Sequence, residues 1–111
     1  MKSPNATFEQ VQHAVSVGRY FITGHGSDEM DDDDLSEAEV IAATLTGEVI
    51  EDYPMAFPHP ACLVLGRLND DSAVHLVWAI DAQKGYAAIV TAYRPDPARW
   101  SADLKTRVKQ P

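Results

Sequence analysis

The sequence predicts an α+β fold in which two N-terminal helices pack on a four-stranded antiparallel sheet as a two-layer sandwich. Apolar residues recur at helical spacing in two segments before Gly47. After Gly47 the pattern changes to short apolar runs separated by turn-forming residues. A chain of 111 residues without repeats or a low-complexity linker fits a single domain, and we expect its ends, 1–6 and 108–111, to be flexible.

The two helices are predicted over residues 8–17 and 37–45. Ser36 and Glu39 have the spacing of a capping box at the start of the second helix, and Gly47 follows its end. The helices are the cover available for one face of the sheet, which gives the two layers.

The segment between the helices is harder to assign. Residues 20–23 favour β structure but are few, and His25 follows in a turn or at the entry to another segment. The acidic run over 28–34 is predicted to be a solvated loop or a frayed helical turn, because like charges this close repel. It lacks the alternating ligands and the glycine of a calcium loop, so we expect it to face solvent or a partner, and we expect no metal site.

The sheet is assigned to apolar runs that are separated by hairpin-length connections rich in turn-forming residues. The four strands are predicted over residues 48–53, 61–68, 73–81 and 86–94. A loop with three prolines follows the first strand, which carries charge and reads as an edge strand. Residues 98–109 are compatible with either a short helix or an extended tail.

Charge is distributed unevenly along the chain, whose formal net charge is −8. Residues 1–53 hold two bases and twelve acids, whereas residues 94–111 hold five bases and two acids. Nucleic-acid binding needs a basic surface, so the acidic half disfavours RNA. A basic protein partner, or a homo-oligomer formed through the acidic face, fits this charge better.

The sequence lacks the features that are typical of several classes of protein. No apolar run approaches the roughly 20 residues that span a bilayer, and no apolar signal segment begins the chain. We therefore expect a cytoplasmic protein without membrane contact. The single cysteine, Cys62, is expected to be a small buried apolar residue. No phosphate-binding glycine loop, serine elbow or zinc motif is present, so no cofactor is predicted.

Two histidines are candidates for general acid–base chemistry. His25 lies among glycines in a flexible polar setting, and it is either a proton shuttle or a structural residue of a turn. Strand alternation places His75 on the more open face of the sheet, away from the core. Thr91 or Tyr93 shares that face if the hairpin register allows it. The alternative for His75 is a hydrogen-bonded histidine in a half-buried sheet.

A second candidate patch follows the last strand. Arg94 has the planar donor geometry that grips phosphate or carboxylate, and Trp100 is able to stack on a base. The alternative is structural, with Trp100 anchoring the C-terminal tail and Arg94 paired with Asp96 or Glu51.

Most of the chain resembles a bacterial family known as domain of unknown function 4258. The residues that carry the resemblance are His25, Met30, residues 47–54 and 62–66, His75, residues 90–97, Trp100 and Arg107. The family is similar in layout to the RelE-like toxin nucleases. This similarity implies RNA cleavage, with His25, His75, Thr91, Tyr93 and Arg94 as catalytic residues and Trp100 and Arg107 binding substrate.

One departure from the family separates two hypotheses. Members usually carry arginines around the methionine, where this chain has Glu29 and the acidic residues 31–34. Repulsion of phosphate there favours a non-catalytic interaction module or a degenerate toxin-like fold. The alternative hypothesis is a RelE-like ribonuclease toxin that uses histidine, tyrosine and arginine.

Overall fold

A computed structural model describes residues 6–108, and these form an α+β domain with the helices on one side of the sheet. The elements are α1 (Ala6–Ser16), β1 (Tyr20–Ile22), α2 (Gly24–Asp32), α3 (Glu37–Thr46), β2 (Glu48–Tyr53), β3 (Ala61–Arg67), β4 (Ala73–Asp81) and β5 (Tyr86–Tyr93). The α+β class is confirmed, and the two predicted helices correspond to α1 and α3. The four predicted strands correspond to β2 to β5. None of the described helices is long and apolar enough to cross a membrane.

The sheet is mixed and five-stranded, which corrects the prediction of four antiparallel strands. Its strand order is β1-β5-β4-β3-β2, and β4 lies at the centre. The four later strands are antiparallel neighbours, as expected. The additional strand, β1, pairs in parallel with β5, from Tyr20 opposite Ala87 to Ile22 opposite Ile89. Three residues are too few to show a period, and their partner strand lies far along the chain.

Residues 28–32 of the acidic run belong to a third helix, α2, which corrects the prediction of a loop or a frayed turn, and Asp33 and Asp34 follow its end. The Thr23 hydroxyl caps this helix by accepting a hydrogen bond from the Gly26 amide at 3.0 Å. A Cβ atom at Gly26 would lie 2.8 Å from the carbonyl oxygen of Ile89. Glycine therefore allows α2 to lie directly against β5.

Two carboxylates of this segment bind the backbone near the end of β5 and just after it, beyond the end of β1. Glu29 accepts from the Ala92 amide at 3.3 Å, and Asp33, the C-cap of α2, accepts from the Arg94 amide at 2.7 Å. Residues four apart on a helix and two apart on a strand have similar separations, so both bonds form together. These acids supply the acceptors that a neighbouring strand would otherwise provide.

The main core lies between the sheet and the helices α1 and α3. It is formed by Phe8, Val11, Ala14, Val15, Met30, Leu35, Val40, Ala43, Cys62, Val64, Leu68, Val74, Leu76, Trp78, Ile80, Ala87, Ile89 and Ala92. The Trp78 indole donates to the Thr44 hydroxyl at 2.9 Å, and that hydroxyl donates to the Val40 carbonyl at 2.8 Å. The buried polar groups of this layer are thus satisfied.

Residues 95–108, called here the C-terminal segment, cover the part of the opposite face of the sheet around His75 and Glu51. The segment is a tight antiparallel loop in which the Ser101 amide donates to the Thr106 carbonyl at 2.8 Å and the Val108 amide donates to the Arg99 carbonyl at 2.9 Å. It is therefore neither the short helix nor the extended tail that the sequence allowed. Of the residues expected to be flexible, 1–5 and 109–111 lie outside the described part of the chain, and the flexibility of the ends stays a prediction.

Candidate functional site: an arginine groove at the C-terminal edge of the sheet

His75 lies in the central strand β4 and is completely buried beneath the C-terminal segment. Its Nε2 atom is 2.9 Å from the Leu104 carbonyl oxygen, and its Nδ1 atom is 3.2 Å from the Tyr93 hydroxyl. The Trp100 ring packs edge-on against the imidazole, with ring centroids 4.4 Å apart. The expectation that His75 lies on the more open face is wrong, because the C-terminal segment covers it. The sequence did not show this cover, because the segment has no periodic pattern that would reveal its position.

The partners of His75 determine its protonation. A carbonyl oxygen only accepts, so Nε2 carries the hydrogen, and Nδ1 accepts from the Tyr93 hydroxyl. Burial lowers the pKa of His75, and burial raises the pKa of Tyr93. Both side chains are therefore neutral near pH 7, and both nitrogens of the imidazole are engaged.

The hairpin register brings the predicted hydroxyl residues to the same face as His75. His75 is directly opposite Tyr93, and Val77 is directly opposite Thr91. A bulge at Val90 follows, because Trp78 pairs with Ile89. The favourable register that the sequence left open is the one observed.

A salt bridge joins the C-terminal segment to the edge strand β2. The Arg107 guanidinium binds Glu51 through Nε at 2.9 Å and through Nη2 at 3.1 Å. This guanidinium is the main reason that the pKa of Glu51 is lowered. The Tyr53 hydroxyl also donates to Glu51, and burial is the main cause that raises the pKa of Tyr53 to about 12.

Glu51 is a functional candidate that sequence reasoning placed only as a partner for Arg94. One signal was present, since alternation along β2 puts Glu51 and Tyr53 on one face of an edge strand. The partner could not be read from the sequence because Arg107 lies 56 positions away. Two predicted site residues thus meet at one face of the sheet, since His75 lies on that face and Arg107 belongs to the segment that covers it.

A surface groove of about 780 Å³ opens beside this covered face, and we call it the arginine groove. Its lining residues are Tyr93, Arg94, Asp96, Arg99, Trp100, Arg107 and Val108. Three arginines and one aspartate are therefore among its lining residues, in a chain with a net charge of −8. Guanidinium groups bind carboxylates and phosphates through paired hydrogen bonds, so the groove is suited to an anionic group.

The groove arginines are held to different extents. Arg94 donates through Nε to the Asp33 carbonyl at 3.0 Å and through Nη1 to the Ser72 hydroxyl at 3.3 Å. Its expected pairing with Asp96 or Glu51 is therefore wrong. Arg99 is 78% exposed, and its Nε atom lies 3.9 Å from the Asp96 carboxylate.

Trp100 lines the groove but is only 5% exposed. Its edge-on contact with His75 covers one part of the indole, and the Arg107 guanidinium lies 4.9 Å from the ring centroid. Trp100 therefore anchors the C-terminal segment, which was the structural alternative, and it offers no open face on which a base could stack.

Three predicted site residues lie outside the groove lining, namely the buried His75 described above, His25 and Thr91. His25 is in the first turn of α2, with 69% of its side chain exposed, and its Nε2 atom is 3.3 Å from Glu29. Thr91 is half-buried on the sheet. The groove thus brings together Tyr93, Arg94, Trp100 and Arg107 from the predicted site, and it adds Arg99.

An acidic depression of about 320 Å³ adjoins Arg94 on its other side. Asp31, Asp34 and Glu39 contribute carboxylates to its lining. Among residues 6–108, no group of histidine, cysteine, aspartate and glutamate side chains is arranged to hold a metal ion. A basic partner or a second copy at this acidic face stays a prediction.

The fold and the groove define a small α+β domain with a mixed sheet and a cationic surface site. The family described as "Domain of unknown function (DUF4258)" matches residues 22–94. The chain belongs to this family, which confirms the resemblance. No curated protein and no solved structure matches the chain, and the similarity to RelE-like nucleases stays a prediction. Because the match ends at Arg94, Trp100 and Arg107 lie beyond it.

Proposed function

We propose that this domain is a non-catalytic interaction module whose binding site is the arginine groove. The observation that carries the proposal is the convergence of Arg94, Arg99 and Arg107 on one open groove. In this role the guanidinium groups hold an anionic group of a partner, and charge-assisted hydrogen bonds supply the specificity.

The state of the acid–base candidates supports binding rather than cleavage. A general base has to reach the proton that it removes, directly or through one water. His75 is buried with both nitrogens engaged, and His25 does not line the groove. The Tyr93 hydroxyl is committed to His75, and the pKa of Tyr93 is raised.

The experiment is an incubation of the purified protein with single-stranded and structured RNA. The proposal expects intact RNA over a wide range of times and pH values. Binding of inorganic phosphate, followed by NMR, is expected to shift groove resonances and to weaken in Arg99→Ala. Arg67→Ala is the matched control, because Arg67 is an exposed arginine of β3 that does not line the groove. RNA cleavage by the wild-type protein would overturn the proposal.

The second candidate function is the RelE-like ribonuclease. It is favoured by one observation, which is that Tyr93, Arg94 and Arg107 line the same groove. In this hypothesis the arginines stabilise the charge on a scissile phosphate. RNA cleavage that disappears in both Tyr93→Phe and Arg94→Ala, with the fold retained, would select this function over the interaction module.

A further inference from the structure

We propose that the arginine groove binds the carboxylates of an acidic segment of a partner protein, and not a nucleic acid. This inference rests on the proposed function, since it names the ligand of the same site. Three features carry it: the exposed guanidinium groups of the groove, the small aromatic surface that is open to a base, and the charge of the surrounding chain.

Two of the groove arginines are largely exposed to solvent. Arg107 uses Nε and Nη2 on Glu51, and 63% of its side chain is exposed. Arg99 makes no hydrogen bond through its guanidinium within residues 6–108, and its contact with Asp96 is an ion pair at 3.9 Å. A carboxylate matches such donors because its two oxygens accept two N–H groups side by side.

The salt bridge to Glu51 also fixes the orientation of the Arg107 guanidinium in the groove. Two bonds fix the plane of the Arg107 guanidinium, and its position 4.9 Å from the Trp100 ring centroid holds that plane over the indole. A ligand that meets a fixed guanidinium loses less side-chain entropy than one that meets a free arginine. Arg107 is therefore a preorganised contact for a ligand, and Arg99 is an adaptable one.

Single-stranded RNA is usually held by stacking bases on exposed aromatic or arginine planes. The aromatic residues in the groove lining are Tyr93 and Trp100. Trp100 is 5% exposed, and Tyr93 is half-buried with its ring 5.3 Å from the imidazole of His75. Trp100 therefore offers a base no open face and Tyr93 offers only part of one, which leaves the exposed Arg99 as the main stacking plane for RNA.

The charge of the whole chain disfavours a polyanion. RNA carries one negative charge per nucleotide, and its affinity depends on a basic surface that extends along the backbone. The groove is bordered at Arg94 by the acidic depression of Asp31, Asp34 and Glu39. A peptide with two or three carboxylates places its charge in the groove without crossing that acidic surface.

The test is calorimetric titration of the full chain at low salt with two probes. One is a five-residue peptide of alternating glutamate and serine with blocked ends, and the other is a five-nucleotide oligoadenylate. We expect the peptide to bind more tightly than the RNA. Arg99→Ala should weaken peptide binding by roughly three- to tenfold, as loss of one exposed charge-assisted contact does. Arg99→Lys should recover only part of it, because lysine keeps the charge and loses the fork.

Matched controls separate the outcomes. Arg67→Ala should leave peptide binding unchanged, and an equal loss in this variant would contradict the inference by showing diffuse attraction. Thermal unfolding of each variant establishes that the fold is retained. Arg99-dependent binding of intact oligoadenylate in preference to the peptide would overturn the inference and leave the proposed function standing. RNA cleavage, or no binding of phosphate, peptide or RNA at the groove, would overturn both.

Discussion

The Nε2 atom of His75 lies 2.9 Å from the carbonyl oxygen of Leu104, so a histidine of the central strand holds the C-terminal segment on the sheet. The other ring nitrogen binds Tyr93, and the ring itself supports Trp100. One buried imidazole thus connects three residues around the arginine groove.

Replacing His75 with leucine should destabilise the fold by about 1–3 kcal/mol, because it leaves the Leu104 carbonyl and the Tyr93 hydroxyl without their partner. Urea unfolding followed by circular dichroism measures this change. His25→Leu is the matched control, since that side chain is 69% exposed and should change stability by no more than about 0.5 kcal/mol. Equal effects of the two substitutions would contradict the structural role of His75.

The stability contributed by His75 should depend on pH. Burial lowers the pKa of His75 below its ordinary value of 6.5 in the folded protein, so the unfolded chain binds the proton more readily. The free energy of unfolding should therefore be highest above pH 6.5 and should fall as the pH decreases from 6.5 toward the lower folded-state pKa. Urea unfolding at several pH values between 7.5 and 5.5 measures this dependence.

The difference between the wild type and His75→Leu isolates this contribution, because the other histidines are present in both proteins. Glu51 and Arg107 face His75 with opposite charges and act on its pKa in opposite directions. The difference in unfolding free energy should narrow as the pH falls below 6.5. A difference that stays constant across this range would show that His75 titrates alike in the folded and unfolded states.

The salt bridge between Arg107 and Glu51 should couple the C-terminal segment to β2. A double-mutant cycle with Arg107→Gln and Glu51→Gln should give an interaction energy of about 0.5–1 kcal/mol, because the pair is bidentate but partly exposed. Chemical denaturation of the four proteins provides the cycle. Strictly additive effects would mean that the segment is held without this pair.

The carboxylate of Asp33 should protect the backbone of β5. Its bond with the Arg94 amide measures 2.7 Å, so Asp33→Ala should speed hydrogen exchange at that amide by about fivefold, equivalent to about 1 kcal/mol. NMR-detected exchange measures the rate at this single position. Asp32→Ala removes a neighbouring exposed acid and should leave the rate unchanged. The same acceleration in both variants would point to lost helix charge instead of a lost bond.

The parts of the fold that the sequence predicted are those with their own periodicity. The helix α3 has a capping box at Ser36 and Glu39, and both of its hydrogen bonds are present in the structure. The strands β3 and β4 are long apolar runs, and their order follows from short connections. Local signals of this kind do not depend on distant partners.

The parts that were missed depend on tertiary contacts. The helix α2 contains two glycines and four acids, which oppose a helix locally, and its hold on β5 comes from Glu29 and Asp33. The C-terminal segment has no period, so its position over His75 was not visible, nor was the burial of that histidine. Arg107 was predicted for the site from the family resemblance, and Arg94 from that resemblance and its planar donor geometry. Their partners Asp33 and Glu51 were revealed by the fold.

Phosphate titration of the ¹⁵N-labelled protein tests the central claim most directly, since it asks whether the arginine groove holds an anion while His75 stays uninvolved. The account predicts that the Nε–H resonance of Arg99 and the indole N–H of Trp100 shift together and saturably, while the Nε–H of Arg67 and the ring of His75 do not. Shifts centred on the rings of His75 or His25, with the Arg99 and Trp100 resonances unmoved, would contradict it.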